Sequence, residues 1–302
     1  RLLDGFQSRL LDAYGTQVIH QAWKPVTVFL NGQYWGHMNL RERVDRFFIA
    51  QFEGLPLDQA DEMDILEANG TVNFGSNKAY RAMLKKIKAG SPATNPDDLQ
   101  YILDNVDVDN LFEYMALEMF VGNSDIGNIR YYRLHQEGSK WKWIWYDADY
   151  GLYSSKFNSP WSYLKVKGMG EQKIDNTIFL KLLEHPDYKR KFLEKLADVY
   201  KTFTTEYMTQ VLDGVVAEIQ PEMKNHWERW GELNDKAVTS EVPTTIDGAY
   251  TYWESRVNRL YNTLKVRPHR LWDFIKDEFK LTKTEMEELF GPQPDYPDDA
   301  VL

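Results

Sequence analysis

The chain has 302 residues, 43% of them hydrophobic, enough for one large core or two moderate ones. Its formal charge of −10, with no long basic stretch, argues against a nucleic-acid partner, because phosphate contacts need clustered Lys and Arg. Cysteine is absent, which excludes disulfides and thiolate metal sites, and no apolar run is long enough to span a membrane.

The chain opens directly into a helical pattern with no visible signal peptide: Leu2, Leu3, Phe6, Leu10, Leu11 and Tyr14 share a face, and Gly15 is placed to end the helix. Residues 25–40 read as a hairpin, because Asn31-Gly32 between two apolar runs is the pair a type I′ turn demands. A short helix is expected over 44–52. Residues 55–77 look irregular apart from a short strand near Met63–Leu66, and an amphipathic helix is expected over 80–89. Residues 97–122 hold one or two helices, with Asp107 or Asp109 as N-cap. Residues 152–176 read as a long loop containing Gly168-Met-Gly170, a length that usually signals function or disorder. From Thr177 to Leu289 the pattern is almost wholly helical, with a break over 234–246. The Pro- and Asp-rich residues 291–302 read as a flexible tail.

The most informative stretch is VGNSDIGNIRYYRLHQEGSKWKWIWYDADYG, residues 121–151. Asp125 and Asn128 lie three apart on a polar loop. Strand signals follow at Ile129–Leu134 and Trp141–Tyr146, and the second runs into Asp147-Ala-Asp149. An antiparallel hairpin returns the chain to its start, so the loop and the acid pair are expected side by side. Converging side-chain oxygens suit a hard divalent cation. Asp147 is the stronger ligand candidate of the pair, because a carboxylate directly after a buried strand needs a reason to be desolvated. Asp149 reads equally as a cap or a solvated acid. Trp141, Trp143 and Trp145 alternate and face one side, which favours a core layer over a sugar-stacking platform. The six histidines show no zinc-enzyme spacing, and neither a Gly-x-Ser-x-Gly elbow nor a Walker loop is present.

The order of parts is that of a protein-kinase-like fold from its regulatory helix onward: helix, hairpin, short helix, helix, Asp–Asn loop, hairpin, second Asp, helices. Spacing departs from ordinary kinases, whose catalytic Asp and Asn lie five apart. Here they are three apart, and the turn reads Asp-Ala-Asp rather than Asp-Phe-Gly. Three segments carry a closer likeness: PVTVFLNGQYWGHMNLRERVD, then GNSDIGNIRYYR with WKWIWYDADYG, and the late VRPHRLWDFIKDEF. On these the chain resembles the spore-coat protein H (CotH) family of atypical, secreted protein kinases over roughly residues 1–280.

The resemblance implies an α+β, atypical protein-kinase-like fold, with a hairpin-rich N-terminal part and a mostly helical C-terminal part. It implies one domain over 1–290, in which 1–54 is the remnant of an N-lobe and 55–290 a helical C-lobe. It further implies ATP with Mg²⁺ or Mn²⁺, a Ser/Thr protein substrate, and a secreted or cell-envelope location. Asp125 would be the catalytic base or substrate-orienting acid, and Asn128, Asp147 and Asp149 the metal-ligand candidates. By analogy with the kinase layout, Met38, Leu40 and Glu42 would border the nucleotide. The family's upstream strands, with their Arg-Gly-Asn-Ser-like turn and lysine, are not in this chain, so weak or no turnover is expected of it. Two other readings follow from the residues alone. One is a non-catalytic surface or coat module binding glycan or protein. The other is a glycan hydrolase using the Asp pair, in a trough lined by Trp161 or Trp35.

Overall fold

A computed structural model describes residues 2–165, 174–230 and 245–298. Helix α1 (Leu2–Tyr14) ends where Gly15 enters the left-handed region at φ 73° and bonds back to Leu11 O at 3.0 Å. Strands β1 (Trp23–Leu30) and β2 (Gln33–Arg41) then form an antiparallel hairpin, with Leu30 opposite Gln33. Its turn residues Asn31 and Gly32 both have positive φ, at 51° and 78°, as the Asn-Gly pair requires. Helix α2 (Arg46–Phe52) is capped by the Asp45 side chain.

Strands β3 (Met63–Glu67) and β4 (Thr71–Phe74) precede α3 (Lys78–Ala89), α4 (Pro96–Asn105) and α5 (Val108–Val121). Asp107 is the N-cap of α5. Strands β5 (Arg130–Leu134) and β6 (Lys142–Ile144) follow, and an antiparallel sheet forms in the order β4-β3-β5-β6. The sequence signalled β3 and the β5–β6 hairpin. Strand β4, only four residues long and mostly exposed, lay inside the stretch read as irregular. Strand β6 is shorter than the apolar run, because Trp141 and Trp145 pair with other segments: Trp141 with Asn105 and Asp107, and Trp145 with Ile19.

The rest is helical: α6 (Ser159–Tyr163), α7 (Thr177–Leu183), α8 (Pro186–Thr202), α9 (Thr205–Trp230), α10 (Ile246–Phe279) and α11 (Lys283–Phe290). The expected loop over 152–176 therefore contains a short helix, started by an Asn158 side-chain cap. Gly168-Met-Gly170 lies outside the described residues, as does most of the break expected over 234–246. Pro268 within α10 has no N–H to offer Leu264 O, and the Thr205 hydroxyl bonds that carbonyl at 3.3 Å instead. After α11 the chain turns back to α10, where Trp272 Nε1 donates to Gly291 O at 3.1 Å.

Helix α5 is buried on nearly every face, from Leu111 to Val121, which marks it as the central helix. One face of the larger sheet meets this core through Tyr131, Trp141 and Trp143, and the other packs Met63, Ile65, Tyr132 and Ile144 on α2. Trp141, Trp143 and Trp145 are all buried, and Tyr131 stacks on Trp143 at 5.7 Å. They form a core layer, so the sugar platform imagined on that strand is unavailable. The β1–β2 hairpin packs on α1 and α9 around Trp23, Val215, Ile219 and Met223. The architecture is α+β, with two small sheets and a majority of helix. No described helix is long and apolar enough to cross a membrane.

Candidate functional site

The site begins at the C-terminus of α5. Gly122 takes φ 65°, bonds to Glu118 O at 3.0 Å, and turns the chain out of the helix. The carbonyls of the last helical turn lack intrahelical donors, and a buried cation satisfies them. Arg267 of α10, with no exposed surface, donates to Met119 O at 2.8 Å, Phe120 O at 2.9 Å, Phe157 O at 2.6 Å and Ser159 Oγ at 2.6 Å. Burial brings its pKa down to about 9, so it stays charged at neutral pH. A Cβ on Gly122 would stand 2.8 Å from its Nη2, so this position needs glycine for space as well as conformation.

The loop beyond Gly122 is held by its own side chains. The Asp125 N–H donates to Asn123 Oδ1 at 3.1 Å, and the Asn128 N–H donates to Asp125 O at 3.3 Å. Asn128 Nδ2 then donates to Asp125 Oδ2 at 2.9 Å and to Asp147 Oδ2 at 3.0 Å. The hairpin has thus returned Asp147 to the loop, and one amide bridges both acids. Asp147 has φ 51°, a left-handed conformation that costs an L-residue roughly 1 kcal/mol and that Asp and Asn tolerate best.

Behind Asp125, the fully buried Glu118 accepts from Tyr163 Oη at 2.8 Å. Its pKa rises from 4.5 to about 7, chiefly through burial, with Asp125 adding to the rise and hydrogen bonds opposing it.

Two further side chains at the site lay outside the expected set. Buried Gln7 of α1 donates to Ala148 O at 2.7 Å and to Gly151 O at 3.0 Å, tying the first helix to the turn that carries the acid pair. Arg41, the last residue of β2, pairs with Asp4 of α1. Burial pulls the Arg41 pKa below its ordinary value, while nearby Asp147 and Asp149 push the other way. Only the parity of β2 hinted at Arg41, which alternates with Met38 and Leu40.

The other expected residues separate. Asp149 and Met38 line a cavity between α1, the hairpin, α9 and α10. Leu40 and Glu42 line an open groove beside Lys24 and Arg9, and Glu42 accepts from Ala22 N at 2.9 Å. Met38 and Leu40 are exposed side chains of the hairpin, at 42% and 60%. The troughs suggested for a hydrolase have prior occupants: Trp35 packs edge-on against Trp230 at 5.1 Å, and Lys165 lies over Trp161 at 4.6 Å.

The donor set fits a hexacoordinate cation shared with a ligand. Two carboxylates converge on one amide donor, which sits where positive charge is most favoured. Mg²⁺ is commonly held by one or two carboxylates together with water and phosphate oxygens. No group of three or more His, Asp or Glu close enough to enclose a metal ion occurs among the described residues. No curated protein matches this chain as a relative. A family model described as CotH kinase protein matches residues 2–271. That match runs from α1 through the hairpin, the Asp125 loop and the Asp147 turn into α10, and the chain belongs to the CotH kinase family.

Proposed function

We propose that this chain is a phosphotransferase with a kinase-like site, moving the γ-phosphoryl group of ATP to a Ser or Thr hydroxyl of a secreted or surface protein. The observation that supports it best is the Asn128 amide bridging Asp125 and Asp147. A bound Mg²⁺ or Mn²⁺ would supply charge neutralisation at the phosphate oxygens. In this reading Asp147, Asp149 and Asn128 hold the metal, with the Asn128 amide turned to present its oxygen. Asp125 orients the acceptor hydroxyl and takes its proton as the new O–P bond forms and ADP departs.

Arg41, kept in place by Asp4, presents its guanidinium toward the phosphates, where a planar fork of donors matches their oxygens. Leu40 and Glu42, which line one groove with Arg41, border the base. The single domain would extend over residues 1–290, with the site between the α1–hairpin part and the helical part. Catalysis here is positioning and electrostatics, which accounts for the number of contacts spent on holding the Asp147 turn.

The test is calorimetric titration of the natural full-length protein with ATP in the presence of Mg²⁺ or Mn²⁺. A saturable, metal-dependent heat is expected. Absence of heat with either metal removes the enzyme reading and leaves a non-catalytic surface module in its place.

A further inference from the structure

The cavity behind α1 has a chemistry of its own. Its volume is about 560 Å³, within the range of small-molecule sites, and its walls come from α1, β1–β2, the segment after Asp149, α9 and α10. Aliphatic side chains share the wall with aromatic rings, among them Trp227, Trp253 and Tyr153. Arg256 and Arg259 enter from α10, three residues apart and so on one helix face. Their guanidinium carbons lie 5.4 Å and 4.9 Å from the Tyr153 ring centroid. Aromatic rings are their partners among the described residues, and no described carboxylate pairs with either. In a chain with a net charge of −10, two adjacent cations left to aromatic faces keep a positive spot inside an apolar cavity.

The remaining polar groups agree with this. His226 Nδ1 accepts the His37 N–H at 3.2 Å, which puts the ring proton on Nε2 and makes the imidazole a neutral donor. Burial, and then the neighbouring His37, lower the His226 pKa and keep it so. Among the described residues the one acid in the wall is Asp149, whose charge is felt by Arg41.

We propose that this cavity binds a flat aromatic anion, with its rings against Trp253 and Tyr153 and its acidic group at Arg256 and Arg259, as a site distinct from the Asp125–Asp147 centre that adjoins it at Asp149. It does not depend on the phosphotransfer reading.

The probe pair is anilinonaphthalene sulfonate and phenylnaphthylamine, which share their rings and differ in the charged group. Fluorescence titration of the folded protein should show one saturable site for the sulfonate. The double variant Arg256→Gln/Arg259→Gln is expected to weaken it about tenfold or more and to leave the neutral probe unchanged. Trp253→Ala should weaken both. Arg259 is exposed, so the single variant Arg259→Gln gives the same comparison should the double variant fail to fold. Non-saturable binding, or equal sulfonate affinity in wild type and variant, overturns the site. Displacement of the sulfonate by Mg–ATP overturns its separateness and assigns the cavity to the nucleotide.

Discussion

Gln7 Nε2 lies 2.7 Å from the carbonyl oxygen of Ala148, joining positions 141 residues apart in the chain. Its second bond, to Gly151 O, makes the amide a clamp between α1 and the turn that carries Asp147 and Asp149. Gln7→Leu matches the volume and removes the donor, leaving Gly151 O unsatisfied while Ala148 O keeps only the Gly151 N–H. A loss of about 1–3 kcal/mol in denaturant unfolding is expected. In the phosphotransfer reading, metal-dependent nucleotide affinity falls as well, because the acids lose their fixed position. An unchanged unfolding midpoint would show that the clamp contributes nothing.

Asp147 separates binding from folding. Asp147→Asn keeps a residue type that tolerates positive φ and removes the charge. Unfolding stability should change by less than about 1 kcal/mol, while the metal-dependent heat with ATP disappears. Asp147→Gly should also lose binding but gain about 1 kcal/mol by relieving the left-handed strain. Retained affinity in both variants would move the metal ligand elsewhere.

Arg267 is a folding determinant. Arg267→Met strips the last carbonyls of α5, Phe157 O and Ser159 Oγ of a shared donor. The expected cost is at least about 3 kcal/mol, read by chemical denaturation. Arg267→Lys should recover only part, since one ammonium cannot reproduce the planar fork. Full rescue by lysine would contradict this account.

Glu118 makes stability depend on pH. Its carboxyl titrates at about 7 in the folded chain and near 4.5 when unfolded. Between these values the folded state keeps a proton that the unfolded state has released, so stability falls as pH rises through the window. Glu118→Gln should flatten that slope and raise stability above pH 7, by on the order of 3 kcal/mol at most. Thermal melts of both proteins from pH 4 to 8 decide it, and parallel curves would rule Glu118 out as the source.

Much of the local structure was legible beforehand. The Asn31-Gly32 turn, the Asp107 cap, the Gly15 helix end and the alternating tryptophans each follow from one or two residues and their neighbours. Backbone preference and periodicity act over a few positions, so the sequence displays them directly. The approach of Asp147 to Asn128 was legible too, because a hairpin is a local fold with a known return point.

What the sequence alone determined was therefore the helices other than α6, the β1–β2 and β5–β6 hairpins, the layer of buried indoles and the meeting of the Asp125 loop with the Asp147 turn. The tertiary structure decided the rest: that β4 joins the larger sheet, that Arg267 caps α5 from α10, that Gln7 and Asp4 bring α1 to the site, and that aromatic residues from distant segments enclose a cavity. The physical reason is the nature of the partners. Gln7 and Arg267 bond backbone carbonyls, which every residue possesses, so no residue type in the sequence marks the position they reach.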